Sequence, residues 1–200
     1  MTGDTAVTIC STALARLGDD PITALTDNTE RARLCNRLYD PIRRKTLRAH
    51  RWNFAMAMAS LASLSYTAVF GPGHKFQLPA DNLRIVEMDP SDQTYVIHGG
   101  TLLTDGSTAN VYYLKDVTDA TLFDALFVEA LSLHLAAEMA YAITGSREMK
   151  VTVMQEYSEK LKEARQMDAQ EGTPPFMESD ALTSVRLGYS DGTAGKQWDS

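Results

Sequence analysis

Cysteine is nearly absent. Cys10 and Cys35 are the two thiols of a 200-residue chain and stand far apart with no C-x-x-C spacing, so neither a disulfide framework nor a zinc site is indicated and a reducing compartment fits. Tryptophan is scarce, with two in the chain, and Trp52 with Phe54 reads as a core anchor at the end of the second helix, since large aromatics dominate packing. No run of about 18 apolar residues occurs, and Met1-Thr2-Gly3-Asp4 is not a basic region leading into an apolar stretch. The expectation is a soluble, intracellular chain with no membrane partner. An excess of positive charge is also missing: 19 basic against 26 acidic side chains give −7, which argues against general affinity for phosphate backbones.

The signatures of common catalysis are missing as well. There is no G-x-G-x-x-G after a strand, no Walker loop, no H-E-x-x-H and no G-x-S-x-G. No catalytic residue, cofactor or metal is therefore expected. His134 and Glu138 share a helix face at i, i+4 and could pair as base and orienter or hold a metal, but no second such pair accompanies them. A di-iron centre would need Glu-x-x-His on two helices. His50, His74 and His98 have no recurrent spacing. Cys10 and Cys35 fall on apolar helix faces and read as small core hydrophobes.

What is present is helical periodicity interrupted by a β-prone stretch. Ala6, Ile9, Cys10, Ala13, Leu14 and Leu17 predict a first helix, capped by Asp4 or Thr5 and closed by Gly18. A second opens at Asn28 or Thr29 and carries Ala32, Cys35, Leu38, Tyr39 and Ile42, with Pro41 expected to kink or divide it. An Ala/Ser/Met-rich segment then leads to the breaker Gly71-Pro72-Gly73. From Lys75 the runs 76–78, 84–88, 95–98, 101–104 and 110–114 read as strands, with Gly99-Gly100 as a hairpin turn. Asp119 is placed to cap a long, all-round apolar helix from about Ala120 to Thr144, and Ser146 an amphipathic one reaching about Glu171. Beyond Gly172-Thr173-Pro174-Pro175 periodicity stops, while Phe176, Met177, Leu182, Val185, Leu187, Tyr189 and Trp198 remain. That composition predicts an arm ordered against a partner.

The expected fold is therefore α+β, mainly α: an antiparallel helical bundle (1–171) with a small antiparallel β-insertion at about 75–116, followed by an extended C-terminal arm (172–200).

One charge asymmetry stands out. Between Glu30 and Arg51, eight basic residues (Arg31, Arg33, Arg37, Arg43, Arg44, Lys45, Arg48, Arg51) face only Glu30 and Asp40. A solvated helix face, a protein interface and a nucleic-acid contact are all open readings of that stretch. The interface reading pairs Arg43, Arg44 and Arg48 with Glu156, Glu159 and Glu163 of a neighbouring copy.

The order of short motifs resembles a known family. Ala13-Leu14-Ala15-Arg16-Leu17-Gly18 is followed by Pro21-Ile22 and Leu25, then by Tyr39 and Arg43, then by Trp52-Asn53-Phe54-Ala55. Phe76-Gln77-Leu78-Pro79-Ala80-Asp81-Asn82-Leu83-Arg84 matches a Y-x-L-P-x-D-x-L-R stretch, with phenylalanine where the family often has tyrosine. Gly100-Thr101-Leu102-Leu103, Asp119-Ala120-Thr121-Leu122-Phe123-Asp124, Leu135-Ala136-Ala137-Glu138 and Ile143-Thr144-Gly145-Ser146 complete the series. Together they span about residues 10 to 171, and the chain resembles the tail tubular protein A type of bacteriophage head-to-tail adaptor. The resemblance implies a structural virion protein, made in the host cytoplasm and placed at the head-tail junction. It implies a ring of twelve copies docked under the portal protein, extending the DNA channel and carrying the next tail or nozzle protein. Double-stranded DNA would pass without specific binding, and the apolar residues of the C-terminal arm would contact the portal. The alternative is a nucleic-acid-binding helical module using the Arg31 to Arg51 stretch.

Overall fold

The structure, a computed structural model, describes residues 4–91 and 93–171. Helix α1 (Ala6–Arg16) starts at Thr5, whose hydroxyl accepts from Thr8 N–H while the Thr8 hydroxyl accepts from Thr5 N–H, a reciprocal capping box. It ends at Gly18, where φ is +77° and Asp19 N–H closes onto the Leu14 carbonyl. Helix α2 (Glu30–Arg48) is capped by Thr29. It continues through Pro41, so the proline does not divide it. Pro41 and Arg37 lie on the solvent side, so the Arg37 carbonyl that loses its helical donor can turn to water.

Helix α3 (Ala125–Thr144) is the centre of the molecule. Asp119 caps only a short 3₁₀ turn, Ala120–Leu122, and Asp124 caps the helix by accepting from Leu126 N–H and Phe127 N–H. Gly145, at φ +68°, closes it. Its length and hydropathy would suit a membrane span, yet α1, α2 and α4 (Arg147–Glu171) pack on it. Ser146 receives the Met149 N–H at the start of α4, which folds back along α3. Ile9, Cys10, Leu14, Cys35, Leu47, Trp52, Phe127, Leu131, Leu135 and Met139 are among the most deeply buried residues of this core.

The β-portion corrects the expected architecture. Among the described residues seven strands form two antiparallel sheets, so the fold there is α+β with four helices and two sheets, and a bundle with a small insertion does not describe it. One sheet has the order β1-β7-β4 and the other β2-β3-β6-β5, with β1 Met56–Ser60, β2 Ser63–Leu64, β3 His74–Gln77, β4 Asn82–Asp89, β5 Tyr95–His98, β6 Thr101–Thr104 and β7 Asn110–Lys115. Between them lies a second core of Leu61, Phe76, Leu78, Ile85, Met88, Leu102, Ala109, Val111 and Tyr113. The first two strands precede the expected start near residue 75. Met-Ala-Met-Ala-Ser has weak β-propensity and little polar alternation; what makes it a strand is its register on β7, from Met56 opposite Leu114 to Ser60 opposite Asn110. The hairpin at Gly99-Gly100 follows its sequence signal, both glycines having positive φ.

Asp168 joins the end of α4 to the turn after α2. It is 8% exposed; its carboxylate accepts from Asn53 N–H at 3.0 Å and meets His50 Nε2 at 3.0 Å, while its carbonyl accepts from Asn53 Nδ2 at 2.7 Å. Burial holds the His50 imidazole below its usual pKa, with the Asp168 carboxylate opposing that shift.

Candidate functional site

The basic helix is the first candidate, and the structure divides its charges into two sets. Arg43 is buried, 1% exposed. Its guanidinium donates to Asp116 and to the Val117 carbonyl at 2.5 Å each, and to Asp40 at 3.2 Å. Arg44 reaches the other oxygen of Asp116 at 2.8 Å. Arg31 is bound to Asp19 and Asp20, Lys45 lies 3.5 Å from Glu138, and Arg51 lies 3.9 Å from Glu87. Much of the local positive excess is thus answered within the chain. Arg43 leaves the set of inter-subunit candidates, because its buried guanidinium is held by Asp40, Asp116 and the Val117 carbonyl of its own chain. The sequence carried a signal for this: Arg43 stands beside Ile42 and one turn after Tyr39, on the face that also holds Cys35, Thr46 and Leu47.

The second set faces outward. Arg33, Arg37, Arg44 and Arg48 are exposed on one side of α2. Arg33 donates to Asn28, Arg48 donates to the Leu83 carbonyl, and Arg37 has no ion-pair partner among the described residues. Arg31, Arg33 and Arg37 open onto a groove of about 730 Å³ between the first half of α2 and the last turn of α3, with Ala142 and Ile143 as its far wall. On α4, Glu156 and Glu159 are exposed and unpaired among the described residues, and Glu163 pairs with Lys160 at 2.9 Å. The chain does not bring Arg44 or Arg48 together with these glutamates.

His134 and Glu138 do not converge on a common site. His134 is 2% exposed and stacks on Tyr157 with ring centroids 4.2 Å apart. Thr46 sends its one hydroxyl hydrogen to the Ile42 carbonyl at 2.9 Å, so Nδ1 of a neutral His134 donates to Thr46 Oγ1 at 2.8 Å. Glu138 instead pairs with Lys150 at 3.1 Å and Lys45 at 3.5 Å; burial alone would raise its pKa, and these two ammonium groups hold it below its usual value. Among the described residues no group of three or more His, Cys, Asp or Glu could hold a metal.

Burial, reinforced by nearby Lys45, pushes the His134 pKa down to about 4, with Glu138 opposing. A histidine whose folded pKa lies below its unfolded value of roughly 6.5 binds its proton in the unfolded chain first. Stability therefore falls as pH drops from roughly 6.5 to roughly 4, by at most about 3 kcal/mol from this group. Denaturant unfolding across that range should show a shallower slope for His134→Phe than for the wild type; an equal slope would assign the acid sensitivity elsewhere.

Exposed apolar side chains form two further candidates. The loop 65–73 between β2 and β3 carries Val69 and Phe70, 98% and 94% exposed. At the turn between α3 and α4, Tyr141, Met149 and Val151 are exposed, and Tyr141 and Val151 line with Met154, Arg147 and Lys150 a hollow of about 700 Å³. Sequence reading singled out neither, since an apolar residue in a loop or at a helix end does not announce its exposure. The arm residues Phe176, Met177, Leu182, Val185, Leu187, Tyr189 and Trp198 lie outside the described residues. In comparisons with known proteins, no family model matches the chain and no curated protein matches it.

Proposed function

We propose that the chain is a structural assembly subunit, a head-to-tail adaptor that docks as a ring under a portal protein, extends the DNA channel and carries the next tail component. The observation that carries this reading is the separation of its exposed apolar groups. Val69 and Phe70 belong to the loop between β2 and β3, whereas Tyr141 lies in the last turn of α3 and Met149 and Val151 lie at the start of α4. Groups on these different elements offer contacts to more than one neighbour. Apolar groups left exposed in this way mark protein contacts, and a ring requires different surfaces on each subunit to meet head to tail. Net acidity suits a channel wall past which DNA slides. The nucleic-acid-binding alternative is weaker, because Arg31, Arg43, Arg44, Lys45 and Arg51 are engaged by carboxylates of the same chain.

The test is sedimentation velocity of the purified chain with portal rings of the same virus. About twelve copies should add to each portal, the closed symmetry expected of the ring. A chain ending at Glu171, lacking the apolar arm proposed to reach the portal, should keep its helical circular dichroism and lose attachment. No association at any salt concentration would reject the adaptor reading, and undiminished binding by the truncated chain would reject the arm as the portal contact.

A further inference from the structure

We propose that neighbouring copies of this chain join through two oppositely charged helix stripes, the outer face of α2 on one copy against the outer face of α4 on the next. The inference rests on the ring reading and names the surfaces that would close the ring.

On α2 the exposed Arg33, Arg37, Arg44 and Arg48 fall at i, i+4, i+11 and i+15. At 100° per residue they occupy an arc of about 60° and a length of about 22 Å. On α4 the exposed Glu148, Glu156, Glu159 and Glu163 fall at i, i+8, i+11 and i+15, an arc of about 80° over the same length. The stripes are thus matched in sign, span and width. Both helices turn their other faces to α3, which leaves the stripes pointing outward. Among the described residues no ion pair links one stripe to the other within the chain. Arg33 and Arg37 also border the open groove between α2 and α3, where Asp19 and Glu30 line the wall beside Arg31, so the part of it open to a glutamate is the Arg33–Arg37 edge.

Two different, complementary faces make a head-to-tail contact, the type that generates closed rings. Complementary charge fixes the register and partner of such a contact and weakens as salt screens it.

The experiment exchanges the charges on the full-length chain. One variant carries Arg33→Glu, Arg37→Glu and Arg48→Glu; a second carries Glu148→Lys, Glu156→Lys and Glu159→Lys; a third carries all six. Arg44 is kept for its bond to Asp116. Assembly is read by sedimentation velocity at low salt, about 0.1 M, and at about 0.5 M, where screening is much shorter ranged, both alone and with portal rings. Each three-residue variant, alone, should assemble at least about tenfold more weakly than the wild type, as like charges now oppose each other. Mixing the two should restore assembly, and the six-residue variant should assemble like the wild type. Restoration cannot come from a misfolded variant. Failure of both the mixture and the six-residue variant to assemble, or wild-type assembly by either three-residue variant, overturns the stripe contact. Charge-rescued assembly of chains that never load a portal rejects the adaptor reading alone, and portal loading indifferent to the stripes rejects this contact alone.

Discussion

Trp52→Ala should lower the stability of the helical body by about 3–5 kcal/mol, the range for truncating a fully buried large aromatic. Trp52 has no exposed surface and is the largest side chain in the core. Its ring lies against Phe127 edge-on at 5.0 Å, against Phe54 at 6.2 Å and against His50 at 5.0 Å. Its indole N–H donates to the Thr46 carbonyl at 3.2 Å, in the last turn of α2 where helical donors run out. Alanine leaves a cavity and also removes that donor. For a chain of this length the loss corresponds to a fall in Tm of about 10 °C. Trp52→Phe should fall between the two, since it keeps part of the packing but not the hydrogen bond. A Tm within about 2 °C of the wild type for Trp52→Ala, measured by circular dichroism, would show that the site collapses around the truncation and that Trp52 is no anchor.

Trp52 belongs to what the sequence makes legible. A large aromatic just after an amphipathic helix, followed at once by another at Phe54, reads as a core anchor. The helices were readable for a similar reason: capping residues, apolar spacing and terminal glycines agree at Thr5, Thr29, Ser146, Gly18 and Gly145. The β-portion was readable only where strands carry their own signal. β5 and β6 announce themselves through Gly99-Gly100, while β1 and β2 exist through pairing with β7 and β3 and leave little local trace. The sequence therefore understates the scale of the β-portion and carries little sign of the second core.

At the candidate surface the sequence showed the charges and not their directions. The count of basic residues from Arg31 to Arg51 is the same whether they point to solvent or to carboxylates of the same chain, and Asp116, which engages two of them, lies more than 70 residues away. Asp168 went unnoticed for the same reason, its partners His50 and Asn53 being more than 110 residues distant. Helical phase was the available clue. Projected at 100° per residue, Arg43 falls between the buried Tyr39 and Leu47, and Arg33, Arg37, Arg44 and Arg48 fall together outside that face.

That phase makes Arg43→Met the sharpest separation of a folding role from a contact role. Methionine fills similar space without charge, leaving the Val117 carbonyl without its donor and Asp116 with Arg44 alone. Removing one partner of a buried ion pair costs about 3–5 kcal/mol, again about 10 °C in Tm. Adding Asp116→Asn to Arg43→Met should recover part of the loss, because the carboxylate stranded by the first change is then neutral, and the two effects should miss additivity by about 1 kcal/mol or more. A contact residue would behave in the opposite way, with wild-type Tm and weakened assembly. Arg37→Glu is that counterpart: Arg37 is exposed and without an ion-pair partner among the described residues, so its reversal should leave Tm within about 2 °C while reducing salt-sensitive self-association. If Arg43→Met melted with the wild type and only assembly suffered, the inward network around Asp116 would not hold α2 to the end of β7, and the basic helix would have to be read as one continuous outer face.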